Sequence, residues 1–284
     1  MPGAPTGSGP RRRLRQAAAP DGPARSVSNL EALLLGLVQG LTEFLPVSSS
    51  GHLVLLQSLF GVAQEGIVFE VALHVATLGS VLVFYRKRVA GLLVGALRGD
   101  ADAWRYGLKL GVATVPAVLA VLLVGDFLEA QYESATTAGI CLLVTGFILW
   151  TTRTTLPNAH GDEPSWAAAF GIGCAQAVAI LPGISRSGST VAAALALGVA
   201  PAAAAEFSFM MSIVAIVGAA VRMAPELTAV PQGQATALLL GGAVALVSGV
   251  AAIWLFVRLL RSQAFYRFAW YAWAAGALAL IFLR

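Results

Sequence analysis

One stretch limits what this chain can become. Between Leu30 and Phe60 an apolar run is interrupted by Pro46 and carries Gln39, Glu43, Ser48, Ser49, Ser50, Gly51 and His52. A helix can run from Asn29 to Leu45. Pro46 then removes a backbone donor and biases Leu45 away from helical geometry. A second short helix can begin near Ser50, with a serine as its cap. Neither half has the roughly 20 residues that a full membrane span needs. Two half-helices around a polar turn predict a re-entrant hairpin, which survives at membrane depth only where protein or a cavity surrounds it.

Composition supports the membrane reading. The 284 residues are 58% hydrophobic and only 11% charged, and mean hydropathy is +0.80. A soluble domain carries about 25% charged residues, so this chain has too little charge to coat a water-facing surface. The net charge of +4 is modest. There is neither a basic face nor a recognition motif for nucleic acid, and no nucleic-acid partner is expected. Cys141 and Cys174 lie in apolar runs and form neither a disulfide framework nor a metal spacing. Residues 1–28, rich in Pro, Gly, Ala and Arg, read as a disordered tail ahead of a single polytopic domain over 29–284. The first apolar run is too interrupted by polar residues to be a cleaved signal peptide.

Full spans are expected at 68–85, 107–125 and 136–152. The broken pattern then returns over 167–199, with Leu181-Pro182-Gly183 at the break, followed by spans at 205–222, 236–258 and 267–283. One constant shift carries Gly36, Gln39, Ser48, Ser50 and Gly51 onto Gly173, Gln176, Ser185, Ser187 and Gly188, and Gly61-Val62-Ala63 onto Gly198-Val199-Ala200. The fold class expected is therefore all-α integral membrane, built from two copies of one unit, about 29–152 and 167–284. Each unit is a re-entrant hairpin plus three spans. A hairpin returns to its own side and three spans cross, so the second copy is inverted, a plan that places a site where the copies meet. Arg86-Lys87-Arg88, Arg98 and Arg105, with Arg258, Arg261 and Arg267, mark the cytoplasmic side, and the acidic 126–135 connection marks the outer side. Both chain ends then lie outside, against the basic character of the tail.

Ionisable residues at membrane depth are costly and mostly functional. Gln39 and Glu43, four apart, share a helix face. Ser48, Ser49, Ser50 and the Gly51 amide lie at the start of the next half-helix, with His52 in its first turn. Helix starts offer unpaired N–H groups and suit phosphate. The second break repeats the design with Ser185, Ser187, Gly188 and Thr190, and adds Arg186, a planar donor suited to phosphate oxygens. Two such starts facing each other make a cage for a diphosphate. Within it Glu43 can hold a divalent cation or take a proton, His52 can serve as acid or base, and Ser49 as nucleophile or donor. Any one serine alone reads first as a cap, and a lone Glu or Arg as half of a structural ion pair. Three ionisable residues at two repeated breaks favour a site in which Glu43, His52 and Arg186 meet. Glu70, His74 and Glu206 carry weaker signals. Lys109 is expected to reach the interface, Trp104, Trp150, Trp166 and Trp270 to form an aromatic belt, and Gly107/Gly111 to mark helix packing.

At these residues the chain resembles the undecaprenyl-diphosphate phosphatase family, the bacterial membrane enzymes linked to bacitracin resistance. The matching runs are Gln39-x-x-x-Glu43 into Phe44-Leu45-Pro46-Val47-Ser48-Ser49-Ser50-Gly51-His52, and Pro182-Gly183-Ile184-Ser185-Arg186-Ser187-Gly188-Ser189-Thr190. Phe69-Glu70 and Ala205-Glu206-Phe207-Ser208-Phe209 match as well, and the likeness covers roughly 29–284. Gln at position 39 is a variation the family allows, and it weakens any scheme that needs two carboxylates there. The resemblance implies hydrolysis of undecaprenyl diphosphate to the monophosphate and inorganic phosphate, which recycles the lipid carrier of wall synthesis. It implies a divalent cation, Mg²⁺ or Ca²⁺, and a site in the bacterial cytoplasmic membrane opening to the outer face. By position, Glu43, His52, Arg186 and Ser49 are the catalytic candidates, with Glu43 also the metal candidate. Gln39, Ser48, Ser50, Gly51, Ser185, Ser187, Gly188 and Thr190 would line the phosphate cage. The partners implied are the polyprenyl diphosphate and membrane lipids, with a homodimer left open. Rival readings are a transporter that flips the prenyl phosphate and a scaffold with vestigial motifs.

Overall fold

The computed structural model describes residues 27–60, 67–222 and 235–283. The tail over 1–26 and the Gly61-Val62-Ala63 match lie outside the described residues, as does the side chain of Glu70. Eleven α-helices are described: α1 (Asn29–Phe44), α2 (Ser49–Phe60), α3 (Ile67–Phe84), α4 (Arg86–Leu97), α5 (Ala101–Gln131), α6 (Ala135–Thr155), α7 (Trp166–Val178), α8 (Arg186–Ala196), α9 (Pro201–Arg222), α10 (Ala235–Arg261) and α11 (Phe268–Phe282). Among the described residues five helices are long and apolar enough to cross a membrane: α5, α6, α9, α10 and α11, with α6 and α11 each extended by a short 3₁₀ turn. The protein is therefore an all-helical, multi-pass membrane protein.

The caps follow the sequence. Ser28 opens α1 with a capping box, its Oγ accepting from the Glu31 amide while Glu31 Oε2 accepts from the Ser28 amide at 2.8 Å. Leu45, held extended before Pro46, closes it. Ser134, Ser165 and Ser185 cap α6, α7 and α8 in the same way, each through its hydroxyl.

The first helix of each broken segment packs on a long helix from the other half of the chain: α1 on α10, and α7 on α5. Glycines make both contacts close. A methyl added at Gly36 would meet the Gly241 carbonyl oxygen at 2.2 Å, and one at Gly173 would meet that of Ala113 at 2.3 Å. These two glycines are shift partners in sequence. Helices α6 and α11 pack on each other, and a methyl at Gly276 would meet the Gly139 carbonyl oxygen at 2.7 Å. Without a water-driven force between helices in lipid, such close backbone approach is the main source of packing energy.

Three features depart from the sequence reading. Residues 86–97, read as a basic connection, form α4, which buries none of its residues. Its Arg88 bonds Glu206 at 2.8 Å and stacks over Tyr106, so the polar start of α9 is tied to the starts of α4 and α5. Lys109 does not reach outward. It is buried and bonds Glu163 Oε1 at 2.9 Å, because the polar connection before α7 folds back and offers a carboxylate. Gly107 and Gly111 face open space, so their spacing marks no contact with another helix among the described residues.

Gly36→Leu and Gly173→Leu should each destabilise the detergent-purified protein by about 1–3 kcal/mol through overpacking, seen as a lower midpoint of thermal unfolding. Gly107→Leu, in open space, should stay within about 0.5 kcal/mol of the parent.

Candidate active site

The two chain breaks touch. A methyl on Gly51 would lie 2.7 Å from the Gly183 Cα, and one on Gly188 would lie 3.1 Å from the Pro46 Cβ. Gly183 has φ +97°, and a side chain there would run into the Ala138 carbonyl oxygen at 2.3 Å. A residue with a Cβ is strained in that region, so glycine is required on both counts.

Ser48 joins the breaks. It takes the left-handed conformation, φ 65°, which is uncommon for a residue with a Cβ. Its buried hydroxyl accepts from the Gly51 amide at 3.3 Å, capping α2, and from the Gly183 amide across the contact at 3.2 Å. Ser185 caps α8 through the Gly188 amide at 3.2 Å. It has no matching bond across the contact, since the position related to Gly183 by the repeat is Pro46, which has no N–H. Thr145 on α6 supplies the remaining support. Its hydroxyl donates to the Gly183 carbonyl at 2.7 Å and accepts from the Ser185 amide at 3.0 Å.

At this junction Glu43 collects the polar groups. Its side chain is only 7% exposed and pairs with the Arg186 guanidinium from the other break. Gln39 Nε2 donates to Glu43 Oε2 at 3.2 Å, Ser49 Oγ donates to the same oxygen at 2.8 Å, and His74 Nε2 lies 3.8 Å from it. Breaking a buried ion pair by removing one partner strands the other charge, at about 3–5 kcal/mol. Each charge therefore requires the other. The Arg186 Nη1 nitrogen is buried and has no partner among the described residues.

Of the residues chosen from sequence, the structure brings together Gln39, Glu43, Ser49 and Arg186. Ser48, Gly51, Ser185 and Gly188 form the turn scaffold. Ser50 Oγ lies 3.4 Å from Ser48 Oγ, and Ser187 Oγ lies 3.4 Å from both Ser185 Oγ and the Leu45 carbonyl. Thr190 Oγ1 donates to the Arg186 carbonyl and lies 2.6 Å from Ser208 Oγ. His52 does not join Glu43 and Arg186. Its Nδ1 bonds the Ser48 carbonyl at 2.8 Å and its Nε2 the Tyr271 hydroxyl at 2.6 Å. The imidazole beside Glu43 is that of His74, a weaker signal in the sequence.

Residues 32–278 match the family of the bacitracin resistance protein BacA. The chain belongs to this family. Curated relatives agree over nearly their whole length. The undecaprenyl-diphosphatase of Desulfosudis oleivorans is 40% identical over 266 residues, covering 88% of this chain and 97% of the relative. That of Geobacter metallireducens is 39% identical over 267 residues, covering 89% and 98%, and that of Alkaliphilus metalliredigens is 38% identical over 272 residues, covering 90% and 99%.

Two participants had no strong sequence signal. Thr145 lies mid-span and Tyr271 in an aromatic-rich run, where packing is the ordinary explanation. Gln176 did carry one, as the shift partner of Gln39. Its buried amide has no partner among the described residues, because the position matching Glu43 holds Ile180.

Ser48→Ala leaves the Gly183 amide unpaired in a buried contact. It should cost about 1–3 kcal/mol, measured as a fall in the thermal midpoint in detergent. Ser50→Ala, whose hydroxyl has only a long contact, should cost less.

Proposed function

We propose that this chain hydrolyses undecaprenyl diphosphate to undecaprenyl phosphate and inorganic phosphate, recycling the lipid carrier of wall synthesis and conferring bacitracin resistance. The observation that carries this reading is the Glu43–Arg186 pair. It joins the two sequence breaks in one buried junction and leaves the Arg186 Nη1 nitrogen for a ligand oxygen. The names of the relatives point to the same substrate.

The architecture in this reading is an inverted repeat of two units, each a re-entrant hairpin and three spans. The reciprocal packing of α1 on α10 and of α7 on α5 supports it. The basic connections face the cytoplasm, the site opens to the outer face of the plasma membrane, and the prenyl tail leaves sideways into lipid.

A divalent cation, Mg²⁺ or Ca²⁺, fits the donor set. Among the described residues no cluster of three His, Cys, Asp or Glu side chains exists to cage an ion. Mg²⁺ typically takes one or two carboxylates and completes its shell with substrate phosphate oxygens and water. Glu43 is such a carboxylate, with the Gln39 amide and the Ser49 hydroxyl beside it. Bound there, the cation would offset charge on the diphosphate.

The protein's own groups then divide the work. Arg186 and the remaining amides at the starts of α2 and α8 hold the diphosphate with Ser49 beside it, while Ser48, Ser185 and Thr190 brace the turns from behind. Ser49 is the nucleophile, since its proton already points at a carboxylate oxygen. Its Oγ bonds to the terminal phosphorus, and the bond from that phosphorus to the bridging oxygen breaks. The prenyl monophosphate leaves with the bridging oxygen. The Ser49 proton passes to Glu43 and departs with that product. Water then adds its hydroxyl to the phosphorus and its proton to Ser49 Oγ, releasing inorganic phosphate. We assign His52, in the first turn of α2 and clear of Glu43 and Arg186, to proton exchange with water.

Glu43→Gln and Arg186→Ala should each lower phosphate release from purified, metal-supplemented protein by about 100-fold or more, with membrane insertion intact. Wild-type turnover in either variant removes that residue from the site. Rapid quench with substrate labelled at the terminal phosphate should trap a phosphoserine that Ser49→Ala abolishes. Turnover without the trap, retained in Ser49→Ala, moves the attack to His52 or water. Liposomes that report flipping separately from phosphate release decide against a transporter if hydrolysis proceeds without lipid transfer.

A further inference from the structure

The His52 ring is held at both nitrogens. Nδ1 lies 2.8 Å from the Ser48 carbonyl oxygen, and Nε2 lies 2.6 Å from the Tyr271 hydroxyl, 219 residues away on α11. The two rings also stack, with centroids 5.7 Å apart and planes 8° from parallel. A carbonyl oxygen can only accept, so Nδ1 must carry a proton. In the neutral imidazole Nε2 is then the unprotonated nitrogen, and the Tyr271 hydroxyl donates to it. Tautomer and ring orientation are both fixed by these contacts.

From this geometry we infer that Tyr271 is a positioning residue for the phosphatase reaction. Its hydroxyl clamps His52 as the Nδ1–H tautomer, donating to Nε2 while that nitrogen is neutral and turning to accept from it once it carries a proton. The inference rests on the reading of His52 as part of the active site. The clamp is built into the scaffold. Tyr271 sits on α11, and α11 packs on α6, whose Thr145 holds Gly183 and Ser185 of the other break. One helix pair thus fixes both breaks, the first through an imidazole and the second through backbone groups. The sequence gives no reason for this hydroxyl to lie here. An aromatic packing residue at 271 would be served by Phe.

Tyr271→Phe removes one oxygen and keeps the ring stack, which makes it the decisive variant. In full-length protein labelled with ¹⁵N-histidine, the chain has only three histidines to resolve. Wild-type His52 should show a protonated Nδ1 and a hydrogen-bonded, unprotonated Nε2. Tyr271→Phe should move Nε2 to the resonance of a nitrogen without a donor. Its kcat should fall about tenfold, the loss of one hydrogen bond to the reacting group, with KM within about twofold. In a His52→Ala background the same change should have no further effect, since the hydroxyl acts only through the imidazole. An unchanged Nε2 resonance in Tyr271→Phe, or a wild-type kcat in it while His52→Ala is inactive, overturns the inference. Full activity of His52→Ala overturns the underlying assignment of His52, and the ¹⁵N result then still decides whether the clamp exists.

Discussion

The Glu43–Arg186 pair is the constraint from which the rest of the junction follows. Neither charge is tolerable alone in a buried, apolar setting. The two residues lie on different chain breaks, so the breaks must come into contact for the fold to exist. Contact at that range leaves no room for side chains at Gly51 and Gly183. It also exposes backbone groups that helices would otherwise pair, and these must find partners within the protein. Ser48 takes the Gly183 amide, and Thr145 takes the Gly183 carbonyl and the Ser185 amide. Even the left-handed backbone at Ser48 fits this logic. It costs of order 1 kcal/mol or more, offset by a hydroxyl that serves two amides at once.

The two breaks correspond in sequence but not in charge. Gln39 and Gln176, Ser48 and Ser185, Ser50 and Ser187, and Gly51 and Gly188 correspond. Glu43 corresponds to Ile180, and Ser49 to Arg186. The acidic residue is supplied by one break and the basic residue by the other, so the pair of breaks makes one charged site rather than two. The consequence is visible at Gln176. Its partner position has become apolar and its amide is left without a bond among the described residues, while Gln39 keeps Glu43.

Much of this was legible in the chain because its causes are local. Pro46 and the capping serines fix where helices stop and start, and apolar length fixes the long helices, so the expected 136–152, 205–222 and 236–258 lie within α6, α9 and α10. The charged pair was legible because a buried Glu and a buried Arg in an apolar chain have few alternatives to each other. What stayed hidden depends on tertiary placement. Nothing near Lys109 says that Glu163 will fold back to meet it. A glycine pair spaced four apart specifies a smooth helix face, and among the described residues no partner helix uses the one at Gly107 and Gly111. His52 shares a motif with Glu43, yet its side chain leaves the helix start on another side and finds Tyr271 instead. Motif membership fixes proximity along the chain and says little about which way a ring turns.

The placement of the junction between packed helices also suits a substrate with two incompatible ends. A diphosphate is stable in water and a long prenyl chain in lipid, so an enzyme for their ester must present charge-binding groups at the edge of an apolar medium. Low polarity around Arg186 strengthens its attraction for phosphate oxygens relative to water. It would also make an empty site costly, had Arg186 no counter-ion. Glu43 removes that cost in the free protein. In the proposed reaction an arriving anion would take up the guanidinium and leave the carboxylate to accept a proton or a cation. The ion pair that joins the two breaks in the free protein would thus also supply the guanidinium and the carboxylate that meet the diphosphate.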